Sequence, residues 1–140
     1  MASQADSILL TEFDQRRLHG LLKVMRKRAP SSDRALDHLE RGLARAKVVR
    51  REQLPPTVVT MNSQVCLRDP DSGERVAISL VFPEAPNPEG DNVPVLSPMG
   101  LALLGCREGD LVEWQTPRGP CRARVDGVLY QPEAAGHFAL

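Results

Sequence analysis

The chain has 140 residues, enough for one domain of ordinary size or a small domain with an appendage, and its 18 basic residues balance 18 acidic ones. That balance argues against a nucleic-acid or membrane-surface protein built on bulk charge, and no stretch reads as a membrane span or a secretory signal. Three cysteines, Cys66, Cys106 and Cys121, are odd in number and lack a Cys-x-x-Cys spacing, which speaks against a disulfide framework or zinc knuckle and for a reducing cytoplasm.

The charge is unevenly spread. Up to Gln53 there are 12 Lys and Arg against 7 Asp and Glu, and from Leu54 onward 6 against 11. Proline divides the chain at the same place, because only Pro30 of the 12 prolines precedes Leu54. The expected organisation is therefore a helical unit over residues 1–53 and a proline-tolerant sheet unit over 54–140.

In chain order, Thr11 and Asp14 form a start like a capping box. Leu18, Leu21, Leu22 and Met25 then follow the i, i+3, i+4, i+7 stripe of one helix face, which predicts a helix over about 12–28. "APSS" interrupts it. Ser31 or Ser32 caps a second helix, in which Leu36, Leu39, Leu43 and Ala46 repeat at steps of three and four in a coiled-coil-like seam. The short connection demands an antiparallel return. Arg16, Arg17, Lys23, Arg26, Lys27, Arg28, Arg34, Arg41 and Arg45 decorate this hairpin, and they read either as a solvated face or as a docking surface. Its tip is Arg28, Ser31, Ser32 and Asp33.

Pro55 and Pro56 end the helical half. Val65 and Leu67 alternate with polar neighbours, and after the turn "DPDSG" so do Val76, Ile78, Leu80 and Phe82, which predicts a hairpin with one buried face. A Pro-rich loop, "PEAPNPEGDN", follows. Val112 and Trp114, the turn "TPRG", then Cys121, Ala123 and Val125 predict a second hairpin. Between the hairpins stands "LSPMGLALLG". Ser97 suits an N-cap, Pro98 the first helical position and Gly105 a left-handed stop, so a two-turn helix, apolar all round, belongs on the concave face of a curled sheet.

Catalytic motifs are lacking. The setting of Ser97 is not the G-x-S-x-G elbow and indicates no histidine partner. His19, His38 and His137 have no ligand spacing, no phosphate-binding glycine motif is present, and the few aromatics do not make a base-stacking platform. Neither a metal nor a cofactor is expected, and direct DNA or RNA binding is not the favoured reading.

A basic helical hairpin, a proline hinge and a sheet unit carrying "LSPMGLALLGCREGDLVEWQTPRG" together resemble the Gre transcript-cleavage factors of bacterial RNA polymerase. "LPPTVVTMNSQVCLRDPDSGE" and the tail "YQPEAAGHFAL" are more similar still to a short-armed branch of that family, the regulators of nucleoside diphosphate kinase. The resemblance covers nearly all of residues 54–140, and over 1–53 it is one of architecture. It implies an α+β chain whose antiparallel sheet unit is FKBP-like and wraps one short helix, and binding at the rim of the polymerase secondary channel. Ser97 and Pro98 carry over as contact candidates, with Leu96 and Met99 beside them. Gre factors have an acidic residue where Leu96 stands. They also present paired carboxylates at the arm tip to hold a Mg²⁺ ion, whereas "RKRAPSSDRA" offers Asp33 alone. The expected function is a non-enzymatic, cytoplasmic transcription regulator that competes with Gre factors. The alternatives are an FKBP-type peptidyl-prolyl isomerase, which needs aromatics clustered around a proline, and a nucleic-acid module using the basic hairpin.

Overall fold

Helical periodicity in the first half becomes two helices, α1 (Glu12–Arg28) and α2 (Arg34–Arg45). A computed structural model of the chain describes residues 8–28, 33–83 and 91–138. The Thr11 hydroxyl accepts the amide of Asp14 at 3.1 Å at the start of α1, and Arg26, Lys27 and Arg28 occupy the last turn, where the helix dipole favours cations. The cap of α2 is Asp33, whose carboxylate accepts the amide of Leu36 at 3.1 Å. Ser31 and Ser32, expected in that role, lie outside the described residues. Arg26, near the end of α1, donates to Asp37 at 2.6 Å and Glu40 at 2.9 Å near the start of α2, so the helices run antiparallel. Ala46, read as the last residue of the seam, is instead the C-cap: its backbone is already extended, with ψ 139°.

Two short strands that the sequence did not announce, β1 (Leu9–Thr11) and β2 (Lys47–Val49), flank the helices and pair in parallel. A parallel pair needs a long crossover, and the helical hairpin is that crossover. The arm is thus closed at its root.

The second half forms β3 (Gln64–Arg68), β4 (Arg75–Val81), β5 (Asp91–Pro94), α3 (Pro98–Leu103), β6 (Leu111–Thr116), β7 (Gly119–Tyr130) and α4 (Pro132–Ala135). The sheet order is β5-β4-β3-β7-β6. Both expected hairpins are present, with Val65 opposite Ile78 and Trp114 opposite Cys121. Not foreseen were the antiparallel pairing of β3 with β7, which joins the two hairpins, and that of β5 with β4, which is parallel and draws β5 from the end of the stretch read as a Pro-rich loop.

Two positions depart from the expected buried face. Val76 is 44% exposed because β5 reaches β4 only from Ile78 onward, so Val76 borders an open edge. Cys121 is exposed for a similar reason, since β3 meets β7 only from Arg124 and the hairpin projects past it.

Gly100 to Leu103 of α3 are buried, and Gly105 follows in the left-handed region at φ +80°. One apolar cluster joins Leu18, Leu22, Leu36, Leu39 and Leu43 of the arm to Val65, Leu67, Leu80 and Val125 of the sheet and to Leu101 and Leu103 of α3. Burying each leucine stabilises by roughly 1.5–3 kcal/mol, so the arm root is held firmly. Composition changes at Leu54, where the sequence reading puts its boundary; the apolar core crosses that point.

Candidate functional site

The phrase between the hairpins folds into a closed turn. The Ser97 hydroxyl donates to the Pro94 carbonyl at 2.7 Å and accepts the Gly100 amide at 3.1 Å, which ties the end of β5 to the first turn of α3. Gly100 lets the two backbones touch: a Cβ there would lie 2.1 Å from the Pro94 carbonyl oxygen. Of the four docking candidates, Pro98 is exposed, while Leu96 and Met99 are half-buried against the core. Ser97 is an architectural clip, with both oxygen functions spent on the backbone and no histidine among its partners.

At the arm tip, Lys27 and Arg28 are exposed, and Asp33 is committed to the α2 amide at Leu36. The turn and the tip are distinct sites, one on the sheet unit and one at the far end of α1. Among the described residues no group of three or more His, Cys, Asp or Glu is placed to hold a metal ion. No helix is long and apolar enough to cross a membrane among them. The aromatics an isomerase pocket would gather face different ways, Phe82 against Arg17 and Tyr130 against His137.

Sequence reasoning missed a buried polar network where the arm meets the sheet. Asp14, fully buried, accepts from Arg17 at 2.6 Å and from the Met61 amide at 3.1 Å. The Arg17 guanidinium lies 4.1 Å from the centre of the Phe13 ring and 4.8 Å from that of Phe82. Nearby, the Thr60 hydroxyl donates to Glu133 at 2.8 Å. The buried Gln131 amide donates to the carbonyls of Pro55 and Val58 at 2.9 and 2.8 Å. Burial pushes the Asp14 carboxyl above its ordinary range, against the opposing pull of Arg17 and the Met61 amide. Glu133 is likewise raised by burial, with Thr60 opposing. A signal was present. Asp14 lies four residues before Leu18, on the apolar stripe of α1, with an arginine three residues on; an acid so placed asks for a buried partner.

Comparison with known proteins agrees with this geometry. Residues 54–130 match the family model described as transcription elongation factor, GreA/GreB, C-terminal. The chain is 36% identical over 135 residues to the regulator of nucleoside diphosphate kinase of Escherichia coli (strain K12), covering 96% of this chain and 97% of that one. It is 38% identical over 95 residues to the transcription inhibitor protein Gfh1 of Thermus thermophilus, covering 66% and 60%. Among solved structures, a prokaryotic transcription elongation factor GreA/GreB from Nitrosomonas europaea superposes with a TM-score of 0.73 at 41% identity, covering 89% of this chain and 98% of that one. A matched C-terminal domain, a full-length relative and a shared fold carry one conclusion: the chain belongs to the GreA/GreB family and stands within it beside the regulator of nucleoside diphosphate kinase.

Proposed function

We propose that this chain is a non-enzymatic, cytoplasmic transcription regulator that binds RNA polymerase at the rim of the secondary channel. Its sheet unit, FKBP-like in fold, docks through the turn at Leu96, Ser97, Pro98 and Met99, and its coiled-coil-like arm occupies the channel entrance. By its likeness to the Escherichia coli relative it is a regulator of nucleoside diphosphate kinase.

The observation that carries the non-enzymatic reading is the state of Asp33. A second Mg²⁺ needs oxygen ligands from paired carboxylates, but Asp33 stands among Lys27, Arg28 and Arg34 and already caps α2. Reach agrees with this, since 17 helical residues extend only about 25 Å. The Thermus relative, whose name is that of an inhibitor, is similar over 95 residues and supports the same reading.

The test is RNA shortening in backtracked elongation complexes, followed on a gel. The protein alone should leave the transcript intact. Added to a cleavage-active Gre factor, it should suppress shortening in proportion to its concentration, with excess factor restoring it. Cleavage by the protein alone would refute the non-enzymatic reading, and undiminished cleavage at saturating competitor would remove the shared docking site.

A further inference from the structure

We infer that Asp14 and Arg17 are positioning residues: their ion pair, clamped between Phe13 of the arm and Phe82 of the sheet, fixes the direction in which the helical arm leaves the sheet unit. The inference rests on the proposal that arm and docking turn engage polymerase together, because only then does their relative direction matter to binding.

Apolar packing by itself sets no direction. The cluster of Leu18, Leu22 and Leu39 with the sheet holds the arm down, but apolar attraction is non-directional and tolerates tilting and sliding. Hydrogen bonds and a planar guanidinium between rings do not. Asp14 uses one carboxylate oxygen on Arg17 of its own helix and the other on the Met61 amide, 47 residues away. Arg17 in turn reaches Phe82, just past the end of β4. A single pair of side chains thus binds α1 to two separate segments of the sheet unit.

Those segments are themselves held. Thr60 and Ser63 share a hydroxyl contact at 2.8 Å, Thr60 donates to Glu133 of α4, and Gln131 at the cap of α4 grips the carbonyls of Pro55 and Val58. The Met61 amide therefore sits on a braced stretch, and the direction of α1 is referred to α4 and the sheet. At the other side of the root, Ile8 seats on Gly105 so closely that a Cβ there would lie 2.4 Å from the Ile8 Cβ. That contact makes a pivot; the ion pair stops rotation about it. An acid on an apolar stripe costs more than a leucine in the same place, and specifying one arrangement among several is the best-attested return for such a group.

The test measures the free protein first. Spin labels on Lys27→Cys, near the tip, and Glu113→Cys, on β6, report the distance from arm to sheet. Cys66 and Cys121 are replaced by serine and the buried Cys106 is kept. The parent should give one narrow distance distribution. Asp14→Asn with Arg17→Met, which removes both charges and keeps most of the volume, should broaden it while helix content stays the same. A narrow, unshifted distribution in that folded variant would overturn the inference. If the double variant does not fold, Phe82→Leu decides: broadening supports the clamp, and an unchanged distribution sinks it. Where the competent direction falls to a tenth of the population, the concentration needed to displace a Gre factor should rise about tenfold. Failure of the parent protein to displace the factor at all would instead strike the docking proposal and leave the distance result standing.

Discussion

Gly20 and Gly100 both lie in helices, and the same substitution should move stability in opposite directions at the two. In the exposed middle of α1, a Cβ added at Gly20 meets nothing within 4 Å, so Gly20→Ala gains the usual helix preference of alanine, about 0.5–1 kcal/mol. At Gly100 the same gain is available, yet the added Cβ would lie 2.1 Å from the Pro94 oxygen and 2.9 Å from the Pro94 carbonyl carbon and the Val95 Cα. Those atoms are backbone and cannot swing aside. α3 would have to retreat by more than about 1 Å before the contact reached ordinary packing near 3.4 Å, and shifts of that kind cost about 1–3 kcal/mol or more. Packing wins over propensity. Gly100→Ala should lose about 2 kcal/mol net, a fall of roughly 6–10 °C in melting temperature, and Gly20→Ala should rise by a few degrees. Thermal unfolding followed by far-ultraviolet circular dichroism reads both. Because the retreat opens the bonds from Ser97 to Pro94 and Gly100, the first variant should also bind polymerase more weakly. If Gly100→Ala melts at or above the temperature of Gly20→Ala, the close approach of β5 and α3 described above is wrong.

Leu39, 2% exposed in the cluster shared by arm and sheet, should not tolerate aspartate: an unpaired buried charge costs several kcal/mol, and helix and aromatic signals should be lost in one transition. Two separated transitions, with the sheet surviving, would show instead that residues 54–140 stand alone. Glu133 provides a pH prediction. Its folded pKa is raised above the ordinary 4.5, so the fold prefers the protonated form, and that contribution, full in acid, is lost as pH rises through the folded value. Glu133→Gln mimics the protonated acid and still accepts from Thr60. It should raise the urea midpoint over the parent at neutral pH, with the difference vanishing in acid; a lower midpoint at neutral pH would contradict the sign. Finally, Pro98→Ala with Met99→Ala should weaken capture by core polymerase without lowering the melting temperature much, since Pro98 is exposed and Met99 only half-buried. Unchanged capture would move the docking surface elsewhere.

What could be read along the chain is what short-range physics writes there. The bounds of α1 follow from a hydroxyl at Thr11 and a leucine stripe, the start of α3 from Ser97 and Pro98, its stop from Gly105, and both antiparallel hairpins from alternation around "DPDSG" and "TPRG". Each involves residues a few positions apart, so the sequence itself displays the spacing. The exposure of Val76 and Cys121 was already beyond that reach, because it depends on where a neighbouring strand begins. The root of the arm was further still. β1 with β2, β5 alongside β4, Ile8 on Gly105 and the Met61 amide on Asp14 join segments that are not neighbours in the chain, and no local pattern encodes the partner. The sequence alone determined α1, α2, α3 and the two antiparallel hairpins, and the family to which they belong; tertiary packing decided β1, β2 and β5 and how the arm is set on the sheet, since only the folded chain brings Arg17 between Phe13 and Phe82 and takes Asp14 out of water.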